Sequence, residues 1–301
     1  MSLLLLAWSV AATAEREIAL TFDDAPRPNG PFLNGEERTA ALIEALARAD
    51  VAEALFFVVT GQIDDDEKAA RVRAYTDAGH TLASHSHSHP WLSRTDPAEY
   101  LADIDRSLEL LEPFDRVLPL YRFPFLDEGR AVGRRDAVRA GLAERGLTNG
   151  YVTVDNYDWY LAALAREMVE SGEPVDREAL GRAYVEILLA CVEFYDAIAV
   201  ETLGRSPKHV LLLHENDLAA LFIADLVAAL RDSGWTIIPA SRAYDDPIAQ
   251  VQPDTVMLGQ GRVAAMARVA GRPGRELVHE SEDEAWLRAE FERRGLLPPA
   301  P

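Results

Sequence analysis

Hydrophobic positions along the chain follow two periods. Short apolar runs rich in β-branched and aromatic residues recur at 17–22, 54–59, 80–84, 118–121, 149–154, 209–213 and 235–238, which predicts strands. Between them, apolar residues three and four apart predict helices over 36–49, 66–78, 97–112, 131–145, 160–171, 176–203 and 217–233. Gly79, Gly146 and Gly234 stand where helices should stop. The alternation argues for β/α units around a mostly parallel sheet or barrel. Such folds collect their working side chains at the carboxyl ends of strands.

Two stretches fit this rhythm less simply. Residues 161–208 are strongly helical, with Leu180, Tyr184, Ile187, Leu188, Val192 and Tyr195 at core-like spacing. They predict a helical pair packed on the barrel, with a cap over a groove as the alternative. Beyond Pro247 the pattern weakens, and residues 251–297 are expected to form a small helical element, centred on Glu282 to Arg294, or a partly mobile tail.

Chemistry concentrates in two places. In His85-Ser86-His87-Ser88-His89-Pro90, two imidazoles four residues apart can face one cation from a helical or near-helical turn, with His87 directed elsewhere. Upstream, Thr21-Phe22-Asp23-Asp24 ends the first strand with two acids that point in different directions, so one can bind a metal while the other acts as base. Either could be the ligand. Two His and one carboxylate leave coordination positions open, as a hydrolytic metal site requires. The plainer alternative is a polar loop and a turn.

These motifs belong to a longer series. Thr21-Phe22-Asp23-Asp24, the run Ala54-Leu55-Phe56-Phe57-Val58-Val59, the histidine segment, Tyr121-Arg122-Phe123-Pro124-Phe125, Asp155-Asn156-Tyr157-Asp158-Trp159 and Leu211-Leu212-Leu213-His214 occur in that order. Over roughly residues 17 to 247 the chain resembles the polysaccharide deacetylases of carbohydrate esterase family 4, which carry a NodB homology domain. The resemblance implies a distorted (β/α) barrel and one metal ion, Zn²⁺ or else Co²⁺ or Ni²⁺, held by Asp24, His85 and His89. It implies Asp23 as general base paired with Arg122, and His214 as general acid paired with Asp158. Trp159 would wall the acetyl methyl, the Phe125 amide would donate to the oxyanion, and Tyr121 is counted with them as substrate-binding. Ala25 departs from the family's usual Gly, and Phe125 from a common Tyr. A backbone donor survives the second change.

That assignment meets the needs of amide hydrolysis: a nucleophile at neutral pH, a stabilised oxyanion and a proton for the leaving amine. The expected activity is removal of N-acetyl groups from a chitooligosaccharide- or peptidoglycan-like glycan. Alternatives are deformylation or O-deacetylation of another acylated sugar, or glycan binding without turnover. The expected organisation is a signal peptide at 1–14, a catalytic domain at 15–250 and an extension at 251–301. The first segment is apolar and ends in Ala12-Thr13-Ala14, similar to a signal-peptidase site, although no Lys or Arg precedes Arg16. It is too short for a lasting bilayer anchor. A periplasmic or secreted protein is expected, or a cytoplasmic one if the segment is not a signal.

Composition narrows the partners. At 301 residues and 49% hydrophobic content, one large core is expected. A net charge of −20, spread along the chain, argues against nucleic acid, anionic membrane surfaces and polyanionic substrates. Cys191 is the single cysteine and sits in an apolar helical run, so it predicts a buried small hydrophobe. His80 is expected to be structural, His209 and His279 have no partner pattern, and Asp155 either orients the fourth motif or ends a strand.

Overall fold

The computed structural model of the protein describes residues 15–256 and 259–298. Its centre is a seven-stranded, all-parallel sheet: β1 (Arg16–Ala25), β2 (Leu55–Val58), β3 (Thr81–Ser84), β4 (Val117–Tyr121), β5 (Thr148–Asn149), β6 (His209–His214) and β7 (Trp235–Ile237). The order is β5-β4-β3-β2-β1-β6, and β7 pairs with the first residues of β1. Around it lie α1 (Gly35–Arg48), α2 (Asp66–Asp77), α3 (Pro97–Leu111), α4 (Val132–Glu144), α5 (Asp158–Glu170), α6 (Arg177–Leu203), α7 (Asp217–Asp232), α8 (Ala240–Ala243), α9 (Arg262–Val269) and α10 (Glu284–Arg293).

The predicted strand over 149–154 is split, and the reason is local. Gly150 lies so close to the Phe57 ring that a Cβ there would come within 2.6 Å of it. Past this point the chain leaves β4 and reaches β6 instead: the Thr153 N–H donates to the Val210 carbonyl at 3.0 Å and the Leu212 N–H to the Val154 carbonyl at 3.1 Å. A few bonds, rather than a full ladder, close the ring. The result is a distorted barrel.

Period-two alternation on β1 sorts side chains between two cores. Ile18, Leu20 and Phe22 pack outward with α1, α6 and α7, while Ala19 joins the interior cluster of Leu55, Phe57, Ala83, Val210 and Leu212. Asp23 is therefore carried inward at the strand's carboxyl end. Helix α7 starts where Asn216 accepts from the Ala219 N–H at 2.9 Å, one turn past His214. The stretch 161–208 is the helical pair α5 and α6 packed on the barrel, with Leu180, Tyr184, Leu188, Val192 and Tyr195 fully buried. After α8, Val263, Ala264, Leu277, Leu287 and Phe291 join that same outer core. Burial of a side chain such as Phe291 stabilises by about 1.5–3 kcal/mol. The expected signal at 1–14 lies outside the described residues. Among the described residues no helix is long and apolar enough to cross a membrane.

Candidate active site

The strands deliver four chemistry-bearing positions to one end of the barrel. Asp23 stands beside His214 in the β1–β6 register, His85 follows β3, and Arg122 follows β4. Asp24 adopts a left-handed φ of 68°, which re-aims the second acid away from the strand alternation. Its Oδ1 lies 3.2 Å from His89 Nε2 and 3.6 Å from His85 Nε2. The two Nε2 atoms are 3.3 Å apart.

The histidines meet differently from the helical turn expected. Ser86 and His89 take φ values of 73° and 56°, so the segment is a kinked loop. Asp103 holds it by accepting from the His87 N–H at 2.8 Å and the Ser88 N–H at 3.0 Å. His87 turns away to Thr60 Oγ1, 3.1 Å distant. His85 Nδ1 is 2.9 Å from the Arg122 carbonyl, which makes Nδ1 the protonated nitrogen and leaves the Nε2 lone pair facing Asp24. Burial pushes His85 down to about 4, so the ring is neutral at pH 7.

A cation fits this donor set. Asp24 Oδ1 is buried and accepts no well-directed hydrogen bond. Burial works against its charge, yet the polar contact with His89 and the charges of His214 and Arg27 hold the carboxyl well below the usual carboxylate range. An ionised oxygen without a partner, converging with two imidazole nitrogens within 4.8 Å, has the chemistry of a divalent transition-metal site.

Beside it, Asp23 is anchored through Oδ1. Arg122 is fully buried and places Nη1 at 2.5 Å from Asp23 Oδ1 and 2.9 Å from Thr21 Oγ1, Nε at 2.7 Å from the Gly150 carbonyl, and Nη2 at 3.1 Å from the Tyr244 hydroxyl. Its guanidinium lies over the Phe57 ring at 3.8 Å. Asp23 Oδ2 is left 3.5 Å from His85 Nε2, facing the cation site. Sequence reasoning missed Thr21 and Tyr244 as supports. Thr21 was findable, because it shares the inward face of β1 with Asp23, whereas nothing near Tyr244 signalled it.

His214 is paired as the sequence suggested. Its Nδ1 is 2.6 Å from Asp158 Oδ1, and Asp158 Oδ2 accepts from the His214 N–H and from Asn216 Nδ2, both at 2.9 Å. Burial alone would lower the imidazole, but the charge and hydrogen bond of Asp158, with Asp24 adding, raise it above the ordinary histidine value. The adjacent Glu215, also missed, is a buried hub: it accepts from the Arg27 N–H at 2.7 Å, the Tyr75 hydroxyl at 2.8 Å and Arg71 Nη2 at 3.2 Å.

Asp23, Asp24, His85, His89 and His214 line a cavity of about 580 Å³ with Trp91, Phe125, Asp155, Tyr157 and Trp159. Phe125 stacks on Trp91 at 3.8 Å and meets His89 edge-on at 4.4 Å. It lies in the first turn of a short 3₁₀ segment, Pro124–Leu126, where an amide has no partner within the helix. Tyr121 is a correction. Its ring is fully buried and its hydroxyl donates to Tyr100 at 2.8 Å, because the residue before Arg122 faces the opposite side of β4. Two further histidines are internal: His80 Nδ1 accepts from the Ala54 N–H at 3.3 Å, and His209 bridges Thr153 and Asp196 at 2.9 and 3.1 Å.

Residues 11–145 match the family model described as polysaccharide deacetylase. Over that stretch the chain is similar to the polysaccharide deacetylases. A chitooligosaccharide deacetylase from Bradyrhizobium sp. (strain ANU 289) is 30% identical over 146 residues, covering 48% of this chain and 59% of that protein. The chain thus matches about three fifths of the length of this curated relative. Among solved structures, a deacetylase with substrate shares 19% identity at a TM-score of 0.51, over 77% of this chain and 92% of its own. A mutant of a carbohydrate esterase family 4 pseudoenzyme from Bacillus anthracis, with restored enzymatic activity, shares 18% identity at 0.54, over 76% and 68%. At these identities the likeness is one of fold, a distorted β/α barrel.

Proposed function

We propose that the protein is a metal-dependent hydrolase that removes N-acetyl groups from an N-acetylated glycan. One observation carries this reading: the unpartnered Asp24 Oδ1 converges with His85 and His89 directly beside two separately buried acid–base pairs, Asp23–Arg122 and His214–Asp158. Asp24, His85 and His89 would hold one ion, Zn²⁺ or else Co²⁺ or Ni²⁺. When bound, such an ion supplies Lewis acidity, activating water and polarising the acetyl carbonyl.

The chain's own residues do the rest. Arg122 occupies Asp23 Oδ1 and fixes the carboxylate's rotation, so Oδ2 is the atom that takes the proton from the attacking water. His214 donates its Nδ1 proton to Asp158 as a hydrogen bond, which leaves the Nε2 proton of the imidazolium for the departing nitrogen. The Phe125 N–H is the candidate donor to the oxyanion, and Trp159 and Phe125 wall the acyl group. Residues 15–250 form the catalytic unit in this reading and 251–301 an extension, whose α9 packs on α6. A leader at 1–14 would place the enzyme in the periplasm or outside the cell.

Acetate release from chitooligosaccharides, peptidoglycan and acetylxylan, measured after chelation and after reloading with Zn²⁺, Co²⁺ or Ni²⁺, tests the proposal. Metal-dependent release from an N-acetylated glycan is expected. Release from acetylxylan alone would make the protein an O-deacetylase, and glycan binding without release by the loaded protein would make it a non-catalytic binder.

A further inference from the structure

The groove does not end at Trp159. On its other side lies a second cavity of about 310 Å³ bordered by Arg27, Phe32, Trp159, Arg166 and Asn216, and Arg27 and Trp159 border both cavities. The charge of this wall runs against that of the chain, which has 50 acidic residues to 30 basic ones. Every acid near it is committed internally. Asp217 accepts from Arg38 Nη1 at 3.2 Å, the Phe32 N–H at 2.8 Å and the Leu33 N–H at 3.2 Å, while Glu215 holds the Arg27 N–H, Arg71 and Tyr75. Arg27 spends Nη1 on Asp24 Oδ2 at 2.7 Å, yet its side chain remains 31% exposed. Arg166 is exposed and forms no ion pair among the described residues, its nearest polar contact being the Asn29 carbonyl at 3.5 Å.

The loop that carries Arg27 is rigid. Its carbonyls at Arg27 and Pro28 accept from Arg71 Nη2 and Arg38 Nη2, both at 2.9 Å. A guanidinium on a fixed loop, a second in the later half of α5 and an indole that borders both cavities form a preorganised place for an anion beside the acetyl site. We propose that this cavity is a subsite for a carboxylate on the sugar unit adjoining the N-acetylated one, read by Arg27 and Arg166. The inference rests on the deacetylase reading above. The strongly negative chain repels dense polyanions at a distance, while one carboxylate per repeat, bonded at contact range, is selected here.

The test uses the metal-loaded protein and two matched N-acetylated oligosaccharides, one with a free carboxylate ether on the adjoining sugar and one with that group as its methyl amide. A preference of about tenfold in kcat/KM for the carboxylate is expected, the scale of hydrogen bonds to a charged group. Arg166→Ala should remove most of that preference while leaving turnover of the amide substrate within about twofold, and Arg166→Lys should restore part of it. Equal kcat/KM for the pair in the unmodified protein, or equal losses on both in Arg166→Ala, overturns the subsite. If neither substrate releases acetate, the deacetylase reading has failed, and calorimetric binding of the same two oligosaccharides then decides the subsite: equal affinities refute it.

Discussion

Asp158→Asn keeps the shape of the side chain and removes the charge that favours protonated His214. The carboxylate is fully buried, 2.6 Å from Nδ1 through Oδ1, and its Oδ2 is held by the His214 N–H and by Asn216 Nδ2. Those two donors will pin the new amide's carbonyl in the Oδ2 position, which turns its NH₂ toward Nδ1. A donor facing Nδ1 opposes the imidazolium further, because both ring nitrogens are donors in that form. Loss of an opposite charge at such range lowers a pKa by about one to two units, or roughly 1.4–2.7 kcal/mol. In the native protein the acid form of His214 is present below its raised pKa and is lost as pH rises through it. The basic limb of kcat/KM for an N-acetyl sugar should therefore move about one to two units toward acid, with a roughly 10–100-fold loss above it and little change below. An activated aryl acetate, whose leaving group needs no proton, should show no such shift. A basic limb that stays in place, or that moves equally for both substrates in metal-loaded, folded protein, refutes the acid role of His214.

Other outcomes follow from the same geometry. Asp23→Asn should retain its metal, measured by elemental analysis, while kcat falls about 10²–10⁴-fold, the scale of a positioned base. His85→Ala combined with His89→Ala should lose the bound equivalent, and full retention would remove the proposed ligand set. Burial holds His80 down at about 4, so its contribution to stability is complete above pH 6.5 and is lost as pH falls from there toward 4. Replacing His80 with Phe should flatten the decline in melting temperature over that window. Phe291→Ala should cost about 3–5 kcal/mol in urea unfolding, since the ring is fully buried in the outer core.

The strands and helices were legible because their periods are enforced by burial: β1, β6 and α7 are apolar on the faces that pack, and their ends fall within a few residues of the pattern. Gly150 hid the break in 149–154, since a close approach to Phe57 is set by a residue almost 100 positions away. At the site, Asp23, Asp24, His85 and His214 could be found because each stands at or just past a strand end with its partner in another motif. The kinked route to His89 could not, because positive φ at Ser86 and His89 is imposed by Asp103, outside the motif. Tyr121 shows the complementary error. Membership in a motif says nothing about which side of the strand a ring takes, and alternation from Arg122 would have turned it outward to Tyr100 on α3.

The pinned loop after β1 also determines where this groove can be remodelled. A Cβ at Gly30 would come within 2.1 Å of the Asp217 carboxylate that holds Arg38 and the loop amides, so that wall admits no new side chain without dismantling its support. The opposite wall is built from Ala162, Ala163 and Arg166 on α5, small or exposed positions on a continuous helix. Variation in natural relatives and in directed libraries should therefore concentrate on α5, where bulk or charge can be exchanged without disturbing the loop, and should be purged at position 30. The groove has one adjustable jaw and one fixed jaw.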